Sequence, residues 1–167
     1  MSKNFRGVGE ETPPIFEMSK LLVSLDIATN MGVIYHQRDS GVYYATTYKG
    51  SPVEQLEMLL DVLGDDVKGV SVFYEELNTF RNANTTRNIL HRVGYLKNSL
   101  LADGAEFQPV NAVQARKFLG FKDKEAVGKY FSAFGLNQDE ADAMVVLLFA
   151  KAQSLDLLEG EKIVCLR

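Results

Sequence analysis

Residues 21–28, LLVSLDIA, set a carboxylate inside an apolar run of the length that a buried strand takes. Burying Asp26 is costly unless something neutralises it or hydrogen-bonds to it. The run therefore constrains the chain twice: it must be a core strand, and whatever packs beside Asp26 must answer its charge. One bland alternative stays open, an Asp that ends the strand and turns the chain with Thr29 or Asn30.

The rest of the pattern supplies the company. Asn30 and Gly32 predict a turn, residues 32–37 a second strand, and the β-branched and aromatic stretch 41–48, GVYYATTY, a third. Such short connections imply an antiparallel meander. Ser51, Pro52 and Glu54 form the signature of a capped helix that carries Leu56, Leu59, Leu60 and Leu63 and stops at Gly64. Residues 69–74, GVSVFY, predict a fourth strand that ends in Glu75 and Glu76. A polar loop over 77–86, a helix over 87–101 and a short strand over 106–110 follow. Helices are then expected over 112–119, 122–134 and 138–155, the last capped by Asn137; residues 162–166 are left as a small edge strand or an irregular end. The order βββ-α-β-α-β-α predicts an α/β fold with a five-stranded mixed sheet, its first three strands antiparallel, flanked by helices. Residues 1–18 are polar, with Gly, Pro and Glu, and are expected to form a flexible arm ahead of one domain over 19–167.

Two more acidic positions fall where they could meet Asp26. Alternation along a strand sends Glu75 and Glu76 to opposite faces, so one of the two can join Asp26 at a neighbouring strand end. Asp139 and Asp142, three apart, share a face of a helix whose continuation, AMVVLLFA, is core. Helix capping explains acids in a first turn and accounts for Asp139 and Glu140 better than for Asp142. Converging carboxylates repel one another, and divalent cations relieve the repulsion. Hard oxygen donors suit Mg²⁺, with Mn²⁺ an expected substitute. Two ions about 4 Å apart can activate water and stabilise a leaving oxygen in phosphodiester cleavage.

Charge distribution fits a polyanionic partner better than the net charge of −4 suggests. Between Phe80 and Tyr130 nine basic residues face four acidic ones, so the remainder of the chain carries the whole acidic surplus. A basic surface can hold phosphates on an acidic protein because screening limits each charge to roughly 10 Å. Arg81, Arg87, Lys117, Lys122, Lys124 and Lys129 are the expected contacts to nucleic-acid phosphates, setting position and not reading bases. Phe80 could stack on an unpaired base or equally tuck into the core. His36 and His91 fit no pattern and are read as structural or surface residues. The single Cys165 excludes an intramolecular disulfide and suits a reducing, cytoplasmic compartment. The longest apolar run, residues 143–150, is too short to span a bilayer, so no membrane role is expected.

Three blocks together resemble the RuvC-like Holliday junction resolvases of the RNase H-like superfamily, in a phage-type or divergent branch: SLDIATNMGV, VFYEELNTFRNANTTRNILHRVG and DEADAMVVLLFA. The resemblance spans about residues 21–152. The glycine that commonly follows the first Asp by two positions is Ala28 here. What the resemblance implies is a metal-dependent endonuclease cleaving four-way DNA junctions as a homodimer, in recombination and repair. It implies that Asp26, Glu75 (with Glu76 as its substitute), Asp139 and Asp142 are the catalytic and metal-holding acids. It implies a supporting catalytic lysine, for which Lys124 is the candidate, and a dimer-forming role for the helix over 87–101. A nuclease of the same fold acting on RNA or on non-junction DNA would share these acids. DIATNMG also resembles the phosphate loop of actin-like kinases, but that architecture needs two lobes and leaves Asp139 and Asp142 unexplained. An inactive binding module is disfavoured by the intact acids.

Overall fold

The structure, a computed structural model, describes residues 15–64, 67–76, 83–158 and 160–166. Strands β1 (Leu21–Asp26), β2 (Asn30–Gln37) and β3 (Val42–Lys49) form the expected meander. Helix α1 (Pro52–Leu63) begins with the full capping box, the Ser51 hydroxyl accepting from the Glu54 amide and Glu54 accepting from the Ser51 amide. Strand β4 (Ser71–Glu75) returns beside β1 in parallel; α2 (Ala83–Ala102) and β5 (Glu106–Val110) follow. Helices α3 (Ala112–Leu119), α4 (Lys124–Ser132), α5 (Gln138–Ala150) and α6 (Leu155–Leu158) precede β6 (Lys162–Cys165). The sheet runs β5-β4-β1-β2-β3-β6.

Six strands, not five, make the sheet. The sixth pairs in parallel with β3, Val42 opposite Lys162 through Ala45 opposite Cys165. It is four residues long and buried on both faces, with Ile163 and Cys165 in one core and Val164 in the other. The edge strand left open for residues 162–166 is thus the one formed, over a segment too short and too buried to show alternation.

The sheet separates two cores. Leu21, Val23 and Leu25 of β1 face Leu59, Leu63, Leu96 and Leu100 of α1 and α2. Leu22 faces the opposite layer, in which α5 contributes a nearly continuous buried run from Ala141 to Leu148. Ser24 and Asp26 are in phase with Leu22, so both point toward α5. Ser24, fully buried, donates its hydroxyl to the Ala143 carbonyl at 2.7 Å, tying β1 to α5.

Several boundaries differ from the expectation for local reasons. Part of the segment assigned to the arm packs: Phe16 is 6% exposed, stacks on Tyr35 and meets Tyr44 edge-on; residues 1–14 lie outside the described residues. Helix α4 starts at Lys124, not 122, because Asp123 takes the N-cap, accepting from the Ala126 amide at 2.9 Å. Helix α5 ends at Ala150, not 155, and Ala152 then adopts a left-handed φ of 56°.

Candidate active site

Two strand ends and one helix end meet at a single place. The β1–β4 register runs from Leu22 opposite Ser71 to Leu25 opposite Tyr74, so the next step sets Asp26 beside Glu75. Val72 and Tyr74 of β4 lie in the α1–α2 core, whereas Phe73 packs toward α5. Glu75 shares the face of Phe73, and therefore of Asp26. Glu76 takes the other face and is exposed; the ring it acts on is Tyr74.

Helix α5 reaches the same place through Gly32. This glycine stands opposite Asp26 in the β1–β2 ladder. A Cβ at position 32 would collide with the backbone carbonyl of Asp139, so only glycine lets the first turn of α5 lie on β2. The cap is anchored separately. Asn137 accepts from the Glu140 amide at 2.8 Å, and the Glu140 carboxylate accepts from the Asn137 amide at 3.1 Å and the Thr47 hydroxyl at 3.0 Å. Fully buried Glu140 is thereby a structural acid, and Asp139 and Asp142 remain directed at the strand ends.

The electrostatics describe one coupled centre. Asp26 is held well above the usual carboxylate range, by burial first and then by Asp142, Glu75 and Asp139, against the pull of Lys124. Burial also raises Glu75, opposed by Lys124 and Arg116. It raises Asp139, helped by the charge of Asp142, and raises Asp142 against Lys124, Gln138 and Arg116. Lys124 lies amid these acids, its Nζ 3.2 Å from Asp142 Oδ2. Burial alone would lower its pKa, but Asp142, Asp26 and Glu75 outweigh burial and raise it.

Thus Asp26, Glu75, Asp139, Asp142 and Lys124 come together. Lys117, Lys122, Lys129 and Arg87 are exposed on or beside α3, α4 and α2, and Arg87 donates to Asn84 Oδ1 at 3.3 Å. Phe80 and Arg81 lie outside the described residues. Arg92, counted in the basic stretch, is buried, donating to the Gly50 carbonyl at 2.7 Å and to Gln55 Oε1 at 3.1 Å. His91 is exposed. His36 is buried, its Nδ1 donating to the Val42 carbonyl at 2.9 Å and its Nε2 accepting from Lys151 Nζ at 2.6 Å, with a pKa lowered to about 4 mainly by burial. Arg116, Lys49 and Gln138 act on the acids without having been singled out as site residues. Arg116 and Lys49 gave no signal beyond charge, and Gln138 none beyond its place just before Asp139.

The donor set fits a hard divalent cation. Asp142 is 6% exposed, and its Oδ2 is met only by Lys124 Nζ, at 3.2 Å. A buried carboxylate oxygen held only by a flexible lysine is one that a cation can compete for. Among the described residues, no three acidic, histidine or cysteine side chains are already gathered tightly enough to enclose an ion.

No family model matches the chain, and no curated protein sequence matches it. Among solved structures, the chain is similar to Thermus thermophilus RuvC in complex with a Holliday junction substrate, at 15% identity and a TM-score of 0.59, over 79% of this chain and 95% of that one. It is also similar to a second structure of Thermus thermophilus RuvC, at 18% identity and a TM-score of 0.55, over 79% and 96%. The chain has the RuvC-type, RNase H-like fold that the sequence resemblance implied. No helix among the described residues is long and apolar enough to cross a membrane.

Proposed function

We propose that this protein is a structure-selective endonuclease that cuts four-way DNA junctions by metal-dependent hydrolysis of a phosphodiester, in DNA recombination and repair. The observation that carries the reading is the convergence of Asp26, Glu75, Asp139 and Asp142 from two strand ends and one helix face around Lys124. The likeness of the fold to RuvC supports it.

Asp26, Glu75, Asp139 and Asp142 would hold Mg²⁺, or Mn²⁺ in its place, as two ions that activate the attacking water and stabilise the leaving oxygen. The chain's own groups do the rest. Asp26 and Glu75 fix the sheet side of the centre, and Asp139 and Asp142 close it from α5. Lys124 keeps the acids compatible before substrate arrives and balances phosphate charge afterwards. The exposed Lys117, Lys122, Lys129 and Arg87 supply sequence-independent contacts to flanking phosphates. Leu90 and Leu101 stand exposed on α2, the helix assigned to a homodimer whose two-fold axis matches that of a junction.

Purified protein with Mg²⁺ should cut a synthetic four-way junction into nicked duplexes by paired, symmetric incisions. Asp26→Asn should abolish cutting and leave junction binding largely intact. A wild-type protein that binds no branched DNA at low salt ends the resolvase reading. Equal cutting of flaps, single strands or RNA–DNA hybrids moves the assignment to a broader nuclease of the same fold.

A further inference from the structure

Gln138 carries no charge, yet it is tied into the acidic centre at three points. Its Nε2 donates to Asp142 Oδ1 at 2.9 Å and to the backbone carbonyl of Lys124 at 3.2 Å. Its amide also seats against Gly128 of α4, where an added Cβ would collide with Gln138 Oε1. One side chain thus joins the start of α4, which presents Lys124, to the turn of α5 that presents Asp142.

The two oxygens of Asp142 are thereby given different tasks. Oδ1 is engaged by Gln138, and Oδ2 is met only by Lys124. Released from Gln138, the carboxylate is free to rotate and offer both oxygens to the lysine, and α4 loses a tie to α5. We propose that Gln138 is a positioning residue that fixes Asp142 for cation binding, so that the affinity of the acidic centre for a divalent cation depends on it. This rests on the metal-dependent reading above. Partners that orient a ligand in this way commonly change metal affinity 10- to 100-fold when removed.

The test needs neither DNA nor turnover. Mn²⁺ alone is titrated into the metal-free full-length protein and binding is followed by electron paramagnetic resonance, with circular dichroism on the same samples to report folding. Gln138→Ala, and Gln138→Met, which keeps the bulk and removes the donor, should each weaken Mn²⁺ binding about 10- to 100-fold. Gly128→Ala displaces the same amide and should weaken binding alike. Combined with Gln138→Ala it should cost nothing more, since both act through one contact. Mn²⁺ affinity within twofold of wild type in both Gln138 variants overturns the inference, as do fully additive losses in the double variant. A wild type that binds no Mn²⁺ overturns the metal-dependent reading itself, a failure set apart because it precedes any substitution.

Discussion

Asp26 closes a strand otherwise built from Leu, Val and Ser, and its burial among three other acids disfavours its charged form. The folded state therefore binds this proton more tightly than the unfolded chain, whose Asp titrates near 3.8. With the folded pKa raised, the penalty is absent below the unfolded value and grows as pH rises through the folded one. In the metal-free protein, Asp26→Asn should raise the melting temperature at neutral and higher pH, by about 2–4 °C for each kcal/mol relieved. The gain should shrink toward nothing as pH falls to about 4, where the wild type sheds the charge unaided. Melts over that pH range decide it; a variant that melts lower throughout would mean that Asp26 is held by contacts that reward its charge. Asp26 was legible in the sequence because a charge inside LLVSLDIA has few cheap explanations. Gln138 was not, because nothing in its residue type separates an amide on a solvated first turn from one that bridges two helices.

At the scale of elements, the centre depends on how closely α5 lies on β2. Gly32→Ala inserts a methyl group where the Asp139 carbonyl stands. Overpacking of that kind costs about 1–3 kcal/mol, and a shift near 1 Å in the Asp pair can cost about 100-fold in rate. Gly32→Ala should therefore lower both the unfolding midpoint in urea and the junction-cutting rate. Gly41→Ala, whose new Cβ would find only Glu161 Cγ at 3.9 Å, should leave both unchanged. Gly32 also marks a limit of sequence reasoning. Glycine after Asn30 suggests a turn, but β2 starts at Asn30 and Gly32 lies inside the ladder opposite Asp26. The glycine answers a helix more than 100 residues further on, which no local pattern can convey. The segment from Glu106 to Val110 and the helix from Ala112 to Leu119 were legible at their observed bounds, because Asn111 caps and Gly120 ends the helix locally. The end of α5 was not: no glycine or proline interrupts the apolar run, and the chain breaks at Ala152 by adopting a left-handed φ.

On the scale of the whole molecule, an acidic chain sets half of its eighteen basic residues between Phe80 and Tyr130, and burial withdraws Arg92 from that set. Each exposed lysine that meets a phosphate should reduce the slope of log affinity against log salt by about 1 when removed, with a loss of affinity that is uniform across sequences. Lys117→Ala, Lys122→Ala and Lys129→Ala, measured by fluorescence anisotropy on labelled junctions at several salt concentrations, test this one position at a time. An unchanged slope removes that lysine from the DNA path. The sheet itself sets a further condition on how copies of this chain can meet. Its two borders are β5 and β6. Strand β5 carries Pro109, which cannot donate to a neighbouring strand, and β6 is only four residues long and opens with a charged lysine. Neither border is a long, uninterrupted template for another chain's strands. Fibre growth by strand addition at these borders is thereby disfavoured, and contact between copies is left to surfaces outside the sheet edges.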